Sequence, residues 1–80
     1  MQIGTQNYPF LDLSKYYFAD KDESGTPQYY GATDINGAWY ILKVNGNAIG
    51  RYATGASGYT TGWTNRASLT YDYLYNVTLY

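Results

Sequence analysis

The sequence contains no cysteine and no histidine. The lack of cysteine excludes disulfide bonds and a thiol nucleophile, and the lack of histidine excludes the usual zinc ligand sets and the ordinary Ser-His-Asp triad. Six Asp and Glu residues remain, and they could at most form an oxygen-ligand site for Ca²⁺ or Mg²⁺. We therefore expect a protein that is not an enzyme, with no catalytic residues, no metal and no cofactor.

The positions of the carboxylates favour turns over an ion site. Asp20, Asp22 and Glu23 lie beside Lys21, next to a polar stretch that predicts a solvated loop over 21–27. The run DING, which begins at Asp34, resembles part of a calcium loop. The glutamate that ends such a loop would fall at position 45, which is Asn, so the run predicts a hairpin turn instead.

Charged residues are also few. They make up 14% of the chain, with a net charge of −1, against about 25% in typical domains. The five basic residues are scattered, whereas a nucleic-acid binder needs them clustered for phosphate contacts. No apolar run is long enough for a signal peptide or a membrane span. We expect a product made in a cytoplasm, with neither nucleic acid nor membrane as a partner.

Aromatic residues and glycine are what the chain has in quantity. Twenty per cent of the residues are aromatic, twelve of them tyrosine, and nine are glycine, a profile typical of β-sheet. Eighty residues make one all-β domain, 1–80, which buries only about 60–65% of its unfolded surface. Without disulfide or metal, association with partner chains is an expected source of further stability, in a homo-oligomer or on a lattice.

Two Asn-Gly dipeptides give the clearest local signal. Asn36-Gly37 and Asn45-Gly46 flank AWYILKV, and Asn-Gly favours two-residue hairpin turns. The spacing predicts a three-stranded antiparallel meander over 28–53, in which Thr33 pairs with Tyr40, and Leu42 with Ile49. Both of its faces are then apolar, so we expect one to be covered by this chain and the other by a neighbour. The predicted fold is a small antiparallel sandwich or partly open barrel with extended terminal arms.

The flanking segments predict the arms. Residues 1–12 show no period and predict an N-terminal arm, while Leu13–Asp20 predicts a first strand. Thr54–Thr64 reads as a long loop, which a cation–π pair of Trp63 and Arg66 could pin.

The C-terminal run Ala67–Tyr80 alternates and predicts a strand that could exceed about 40 Å. Because that is long for so small a sheet, we expect the strand to bend or break near Asp72, or 72–80 to extend past the sheet and pair with another chain. A chain that ends at Tyr71 should then keep a foldable core.

Four segments resemble a known class of proteins: YGA from Tyr30, AWYILKV from Ala38, RYATG from Arg51 and GWTNRASLTY from Gly62. Together they resemble a class of small structural-region proteins encoded by tailed bacteriophages, and WTNRASLTY is the most specific element. The resemblance covers half the chain. The chain departs from it by nine residues past Tyr71 and by a bare Asn-Gly turn. The resemblance implies a component of the virus particle, or a protein encoded among its structural genes, made in the host bacterial cytoplasm. The candidate positions on a particle are capsid decoration, the neck, and a tail or fibre attachment point.

The aromatic side chains are the candidate binding groups, because Tyr and Trp bury large areas with few rotatable bonds. The candidate interface consists of Tyr8, Phe10, Tyr30, Trp39, Tyr52, Tyr73, Tyr75 and Tyr80. The favoured function is a non-enzymatic structural protein that docks on other virion proteins. One alternative is a carbohydrate- or receptor-binding module whose tyrosines and Trp63 contact a host glycan. Another is a small phage-encoded factor that acts on host proteins.

Overall fold

The computed structural model of the protein describes residues 13–46 and 49–77. Its strands form one antiparallel sheet in the order β1-β2-β3-β4, so the predicted all-β class is confirmed and the meander has a fourth strand. The strands are β1 Tyr17–Asp22, β2 Gln28–Thr33, β3 Trp39–Asn45 and β4 Ile49–Ala53. The helices are α1 Tyr59–Thr64 and three 3₁₀ turns at Leu13–Lys15, Arg66–Ser68 and Leu74–Asn76.

The β2–β3 hairpin has a longer turn than Asn-Gly predicts. Ala32 pairs with Tyr40, so the predicted pairing of Thr33 with Tyr40 is wrong by one residue. The Asp34 amide donates to the Ala38 carbonyl oxygen at 2.9 Å, which leaves three residues in the loop.

The side chain of Asp34 explains this longer turn. One of its carboxylate oxygens accepts the backbone N–H groups of Asn36, at 2.8 Å, and Ala38, at 2.9 Å. Gly37 has a φ of 90°, the left-handed conformation that closes a three-residue hairpin loop. The hairpin-turn interpretation of DING is confirmed, with Asp34 as the residue that fixes its length.

The β3–β4 pairing also differs from the prediction. Leu42 pairs with Tyr52, and Asn45 with Ile49. Leu42 and Ile49 therefore lie on opposite faces of the sheet, and the predicted pairing between them is wrong. A slip by an odd number of residues moves every side chain of a strand to the other face, so the faces differ from those predicted.

One face of the sheet packs against α1; we call it the helix face. It is built from Gly31, Trp39, Ile41 and Ala53, and the last three are almost completely buried. The Trp39 indole N–H donates to the Ser57 carbonyl oxygen at 2.6 Å. The helix α1 that packs here lies within Thr54–Thr64, the segment that the sequence predicted as a long loop.

Two glycines permit the close packing of the helix face. A Cβ atom at Gly62 of α1 would lie 2.4 Å from a ring carbon of Trp39. A Cβ atom at Gly31 would lie 2.2 Å from the Tyr59 hydroxyl oxygen and 2.8 Å from a Trp63 ring carbon. Real Cβ atoms do not approach so closely, so α1 can reach the sheet only because both positions are glycine.

The opposite face, which we call the tyrosine face, carries Ala32, Tyr40, Leu42 and Tyr52. Residues from both ends of the described chain pack against it, namely Leu13, Tyr16, Leu74 and Val77. Tyr40 makes ring contacts with Tyr16 at 5.2 Å and with Tyr52 at 5.7 Å between centroids. This chain thus covers both faces by itself, and the expectation that a neighbour must cover one of them is wrong.

The segment after α1 passes around the free side of β4. Tyr71 lies against Tyr29 of the helix face, with ring centroids 6.2 Å apart. Asp72 and Tyr52 then exchange two backbone hydrogen bonds of 2.8 and 2.9 Å. Val77 finally packs into the tyrosine face.

The predicted strand over Ala67–Tyr80 is therefore not formed between 67 and 77, where 3₁₀ turns and one isolated bridge replace it. That bridge is at Asp72, the residue near which a bend or break was expected. The first strand runs over Tyr17–Asp22 instead of Leu13–Asp20. Residues 78–80 and the predicted arm at 1–12 lie outside the described residues.

Candidate interaction surfaces

The segment after α1 is held to the sheet by Arg66. Its guanidinium lies 3.0 Å from the Asp22 carboxylate, donates to the Trp63 carbonyl oxygen at 2.8 Å and stacks 4.5 Å from the Trp63 ring centroid. The predicted cation–π pair of Trp63 and Arg66 is thus confirmed. The Tyr71 hydroxyl donates to the Arg66 carbonyl oxygen at 2.7 Å. Trp63, Arg66 and Tyr71 of the run WTNRASLTY thus form one clamp, in which Arg66 joins the other two residues.

The carboxylates of β1 and the following loop bind neighbouring groups. Hydrogen bonds from Ser24 and Arg66 lower the pKa of Asp22 to about 2. The Tyr30 hydroxyl donates to Glu23 at 2.7 Å and lowers the pKa of that carboxyl.

On the helix face, the Tyr59 hydroxyl donates to Asp20 at 2.8 Å. Burial, together with this bond, raises the pKa of Tyr59 well above its usual range. Among residues 13–46 and 49–77, no three His, Cys, Asp or Glu side chains come together as a metal-ligand group.

The predicted interface residues have very different environments. Trp39 is 2% exposed and belongs to the core. Tyr30 and Tyr52 are partly buried and pack within the tyrosine face. Only Tyr73 and Tyr75 are largely exposed, while Tyr8, Phe10 and Tyr80 lie outside the described residues.

Tyr73 and Tyr75 form a surface stack beside β4. Their rings are nearly parallel, with centroids 5.4 Å apart. The guanidinium of Arg51, a residue of β4, lies 4.1 Å from the Tyr73 ring centroid. Asp72 accepts the Tyr73 N–H at 2.7 Å and an Asn76 amide hydrogen at 3.3 Å. These bonds hold the backbone that presents the two rings.

A second exposed apolar group lies on β1. Tyr17 is 77% exposed and Phe18 is 64% exposed. Tyr17 pairs with Thr33 and Phe18 with Ala32, so Tyr17 lies on the helix-face side of the sheet and Phe18 on the tyrosine-face side. A bulge at Ala19 then interrupts the pairing with β2.

Each of these rings borders a surface hollow. Phe18 and Tyr30, with Lys21 and Glu23, line a hollow of about 530 Å³. Tyr17 borders another, of about 320 Å³, with Lys15 and Ile35. Ile35, at the tip of the β2–β3 hairpin, is 96% exposed.

Tyr17, Phe18 and Ile35 were missed as candidate binding residues. A usable signal existed, because consecutive strands of a meander are neighbours and a strand that precedes the meander must then lie at its edge. Aromatic residues on an edge strand are more exposed than the same residues on a central strand.

No helix among the described residues is long and apolar enough to cross a membrane. The chain matches no protein-family model, no curated protein and no solved structure.

Proposed function

We propose that this protein is a non-enzymatic structural component of a tailed-phage particle, which docks on other virion proteins through exposed aromatic and aliphatic side chains. The observation that carries the proposal is the number of large apolar side chains left on the surface of so small a fold. They are Tyr17, Phe18, Ile35, Ile49, Tyr73 and Tyr75.

These side chains are exposed even though the chain covers both faces of its own sheet. Exposed apolar groups that cluster on a soluble domain usually mark a contact with another molecule. Tyr17 and Phe18 cluster on β1, and Tyr73 and Tyr75 stack beside β4. The surface therefore offers two separate contacts, one at each side of the sheet.

The resemblance supports the virion setting of the proposal. In its most specific element, WTNRASLTY, Arg66 contacts both Trp63 and Tyr71 and holds the cover of the helix face. A pattern made of such residues describes a shared fold. The non-enzymatic part of the proposal is supported by the structural bonds of Asp22, Glu23 and Asp34.

The test has two parts. Mass spectrometry of purified particles should detect the chain in a fixed ratio to the major virion proteins. Particles that lack it should then take up the wild-type chain and a Tyr75→Phe control, which keeps the ring, but take up Tyr73→Ser/Tyr75→Ser less well by about fivefold or more. Purified particles that contain none of the chain would contradict the proposal.

A glycan-binding module is the second candidate. The exposed stack of Tyr73 and Tyr75 adjoins Asp72 and Asn76, and sugar sites combine an aromatic platform with carboxylate or amide groups. Binding of the wild-type chain to a host-glycan array, lost in Tyr75→Ser, would favour this candidate.

A further inference from the structure

The two edges of the sheet differ in how they are closed. At β4, Asp72 forms a bridge with Tyr52 and the following residues turn over the edge. At β1, the only pairing within the described part of the chain is with β2, on the inner side. A strand with one unpaired side presents N–H and C=O groups that can receive another strand.

We propose that the outer edge of β1 receives an extended peptide segment of another protein, apolar at one end and basic at the other. The inference deepens the proposed function and rests on it for the identity of the partner as a virion protein.

The hollows beside β1 fit the side chains of an added strand. Successive side chains of a strand point to opposite faces of the sheet. Phe18 lies on the tyrosine-face side of β1 and borders one hollow, and Tyr17 lies on the helix-face side and borders the other. A segment paired to β1 would therefore place neighbouring side chains in different hollows, the arrangement by which strand addition obtains specificity.

Charge gives the segment its polarity. Apolar Tyr17 and Phe18 begin β1, whereas its far end and the next residue carry Asp20, Asp22 and Glu23. Lys21 pairs with Glu23 at 3.4 Å and Arg66 pairs with Asp22 at 3.0 Å, so this end carries three negative charges against two positive ones. The Glu23 side chain is 45% exposed. Basic residues in the partner would complement this acidic end, and apolar residues would cover the aromatic end.

The same polarity argues against a second copy as the occupant. An antiparallel two-fold pairing of β1 centred on Asp20 would place the Asp20 carboxylates of the two copies opposite each other. It would also place Phe18 of each copy opposite Asp22. Like charges directly opposite one another destabilise a strand pair, so β1 is unsuited to pair with itself in this register.

The bulge and the charges limit what can pair with this edge. Bulges and charged residues on edge strands hinder indiscriminate pairing. The bulge at Ala19 and the side chain of Lys21, which is 72% exposed, have this effect here. The edge is open to a short segment of matching pattern and resists a long, uniform apolar strand.

The test uses the full ¹⁵N-labelled chain and two synthetic peptides, each made in both sequence directions. One peptide has valine and tyrosine at one end and lysines at the other, and the second has glutamates in place of the lysines. We expect the basic peptide to shift the backbone amide signals of 17–22. The acidic peptide should bind about two- to fivefold more weakly, the usual size of exposed charge effects.

Two matched variants locate the site. Phe18→Ser should weaken binding of the basic peptide by about fivefold or more. Ile49→Ser, which alters an exposed apolar residue on the other edge strand, should leave it unchanged. Both variants change surface residues, and their amide spectra report whether the fold is kept.

Three results would overturn the proposal: no binding by either peptide, amide shifts confined to β4 or to the Tyr73–Tyr75 stack, or equal binding by the two variants. Dimerisation through 17–22 without peptide would assign the edge to a second copy and would also overturn it. The peptide assay needs no particles. If the chain bound the peptide at β1 but were absent from virions, the proposed function alone would be refuted. If the chain were present in virions but bound no peptide at β1, this inference alone would be refuted.

Discussion

The two faces of the sheet are covered in different ways. The cover of the helix face comes from the segment that directly follows β4, and it fits through glycines at Gly31 and Gly62 and through the Asp22–Arg66 ion pair. The cover of the tyrosine face comes from both ends of the described chain, through Leu13 and Val77 among others. One face is closed by a local, shape-specific fit and the other by distant segments that pack as apolar groups.

This difference separates two kinds of sensitivity. Where glycines bring a helix within contact of an indole ring, a single added methyl group has no room. Where aliphatic side chains cover tyrosine rings, small changes of volume are tolerated better, but removal of the covering segment exposes the whole face. The helix face should therefore be the more sensitive to point substitutions, and the tyrosine face to truncation.

Truncation after Tyr71 should have the largest effect. It removes Leu74, Val77 and the Asp72 bridge to β4. Loss of the buried Val77 side chain alone costs about 1.5–3 kcal/mol, a large part of the stability of about 5 kcal/mol at the low end of the range for small domains. We expect the truncated chain to be largely unfolded by circular dichroism and to show no cooperative urea transition.

The structure thus replaces the expectation that a chain ending at Tyr71 keeps a foldable core. The full-length Tyr75→Ser variant is the control, because that side chain is 63% exposed, and surface substitutions usually change stability by less than about 0.5 kcal/mol. A truncated chain that unfolds cooperatively at the wild-type urea midpoint would show that the tyrosine face does not need this cover.

Gly62→Ala should have the next largest effect. Alanine is favoured over glycine in a helix by about 1 kcal/mol, but the new methyl group would meet the buried Trp39 ring at 2.4 Å. Overpacking of this kind costs about 1–3 kcal/mol, and Trp39 is too enclosed to move aside. The difference of these two effects is a net destabilisation of up to about 2 kcal/mol, which urea unfolding would measure.

Gly58→Ala is the matched control, since nothing lies within 4 Å of a Cβ atom there. If Gly62→Ala were as stable as Gly58→Ala, the helix face would not be closed by the shape-specific fit described above.

Much of the fold could be predicted from the sequence, because the meander depends on local signals. Two Asn-Gly dipeptides around an apolar run mark strands whatever the exact turn. The register could not be read from the dipeptides alone, since the Asp34 side chain accepts two amide hydrogens and stabilises a longer loop. Such a side-chain contact outweighs the preference of Asn-Gly for a two-residue turn.

The C-terminal segment shows why the rest could not be predicted. Its alternating apolar residues suggest one face of a strand, yet Tyr71 contacts the helix face while Leu74 and Val77 contact the tyrosine face. The alternation arises because the segment passes around an edge, and a pattern of period two does not distinguish these cases. Likewise, YTTGWT has weak helix propensity, and it becomes helical through packing on Trp39.

The candidate site was predictable only in part. Tyr73 and Tyr75 are exposed, whereas Trp39 is buried in the core, because exposure depends on strand order and register more than on residue type. The pairing of Trp63 with Arg66 was predictable since only two residues separate them in the chain.

Arg66→Lys should have a moderate effect on the cover of the helix face. Lysine keeps the charge beside Asp22. Its ammonium group cannot donate to the Trp63 carbonyl oxygen and at the same time stack on the indole ring, as the guanidinium does. We expect a loss of about 1 kcal/mol in urea unfolding at neutral pH. Arg51→Lys, whose guanidinium stacks on the exposed Tyr73 ring, should lose less; equal losses would remove the distinction between a clamp and a surface contact.

The smallest expected effect concerns the protonation of Asp22 in its pair with Arg66. Hydrogen bonds from Ser24, then from Arg66, lower the pKa of Asp22 from 3.8 to about 2. Because the folded-state pKa lies below the unfolded one, this carboxylate stabilises the fold fully above the unfolded value, and its contribution is lost as the pH falls from about 4 to about 2.

Carboxyl chemical shifts followed by NMR should give Asp22 a midpoint near the lower value. Ser24→Ala should raise that midpoint toward the ordinary one, and Asp22→Asn should make the decline of stability between pH 4 and 2 less steep. A wild-type midpoint at the ordinary value would mean that the Asp22–Arg66 pair does not tie β1 electrostatically to the cover of the helix face.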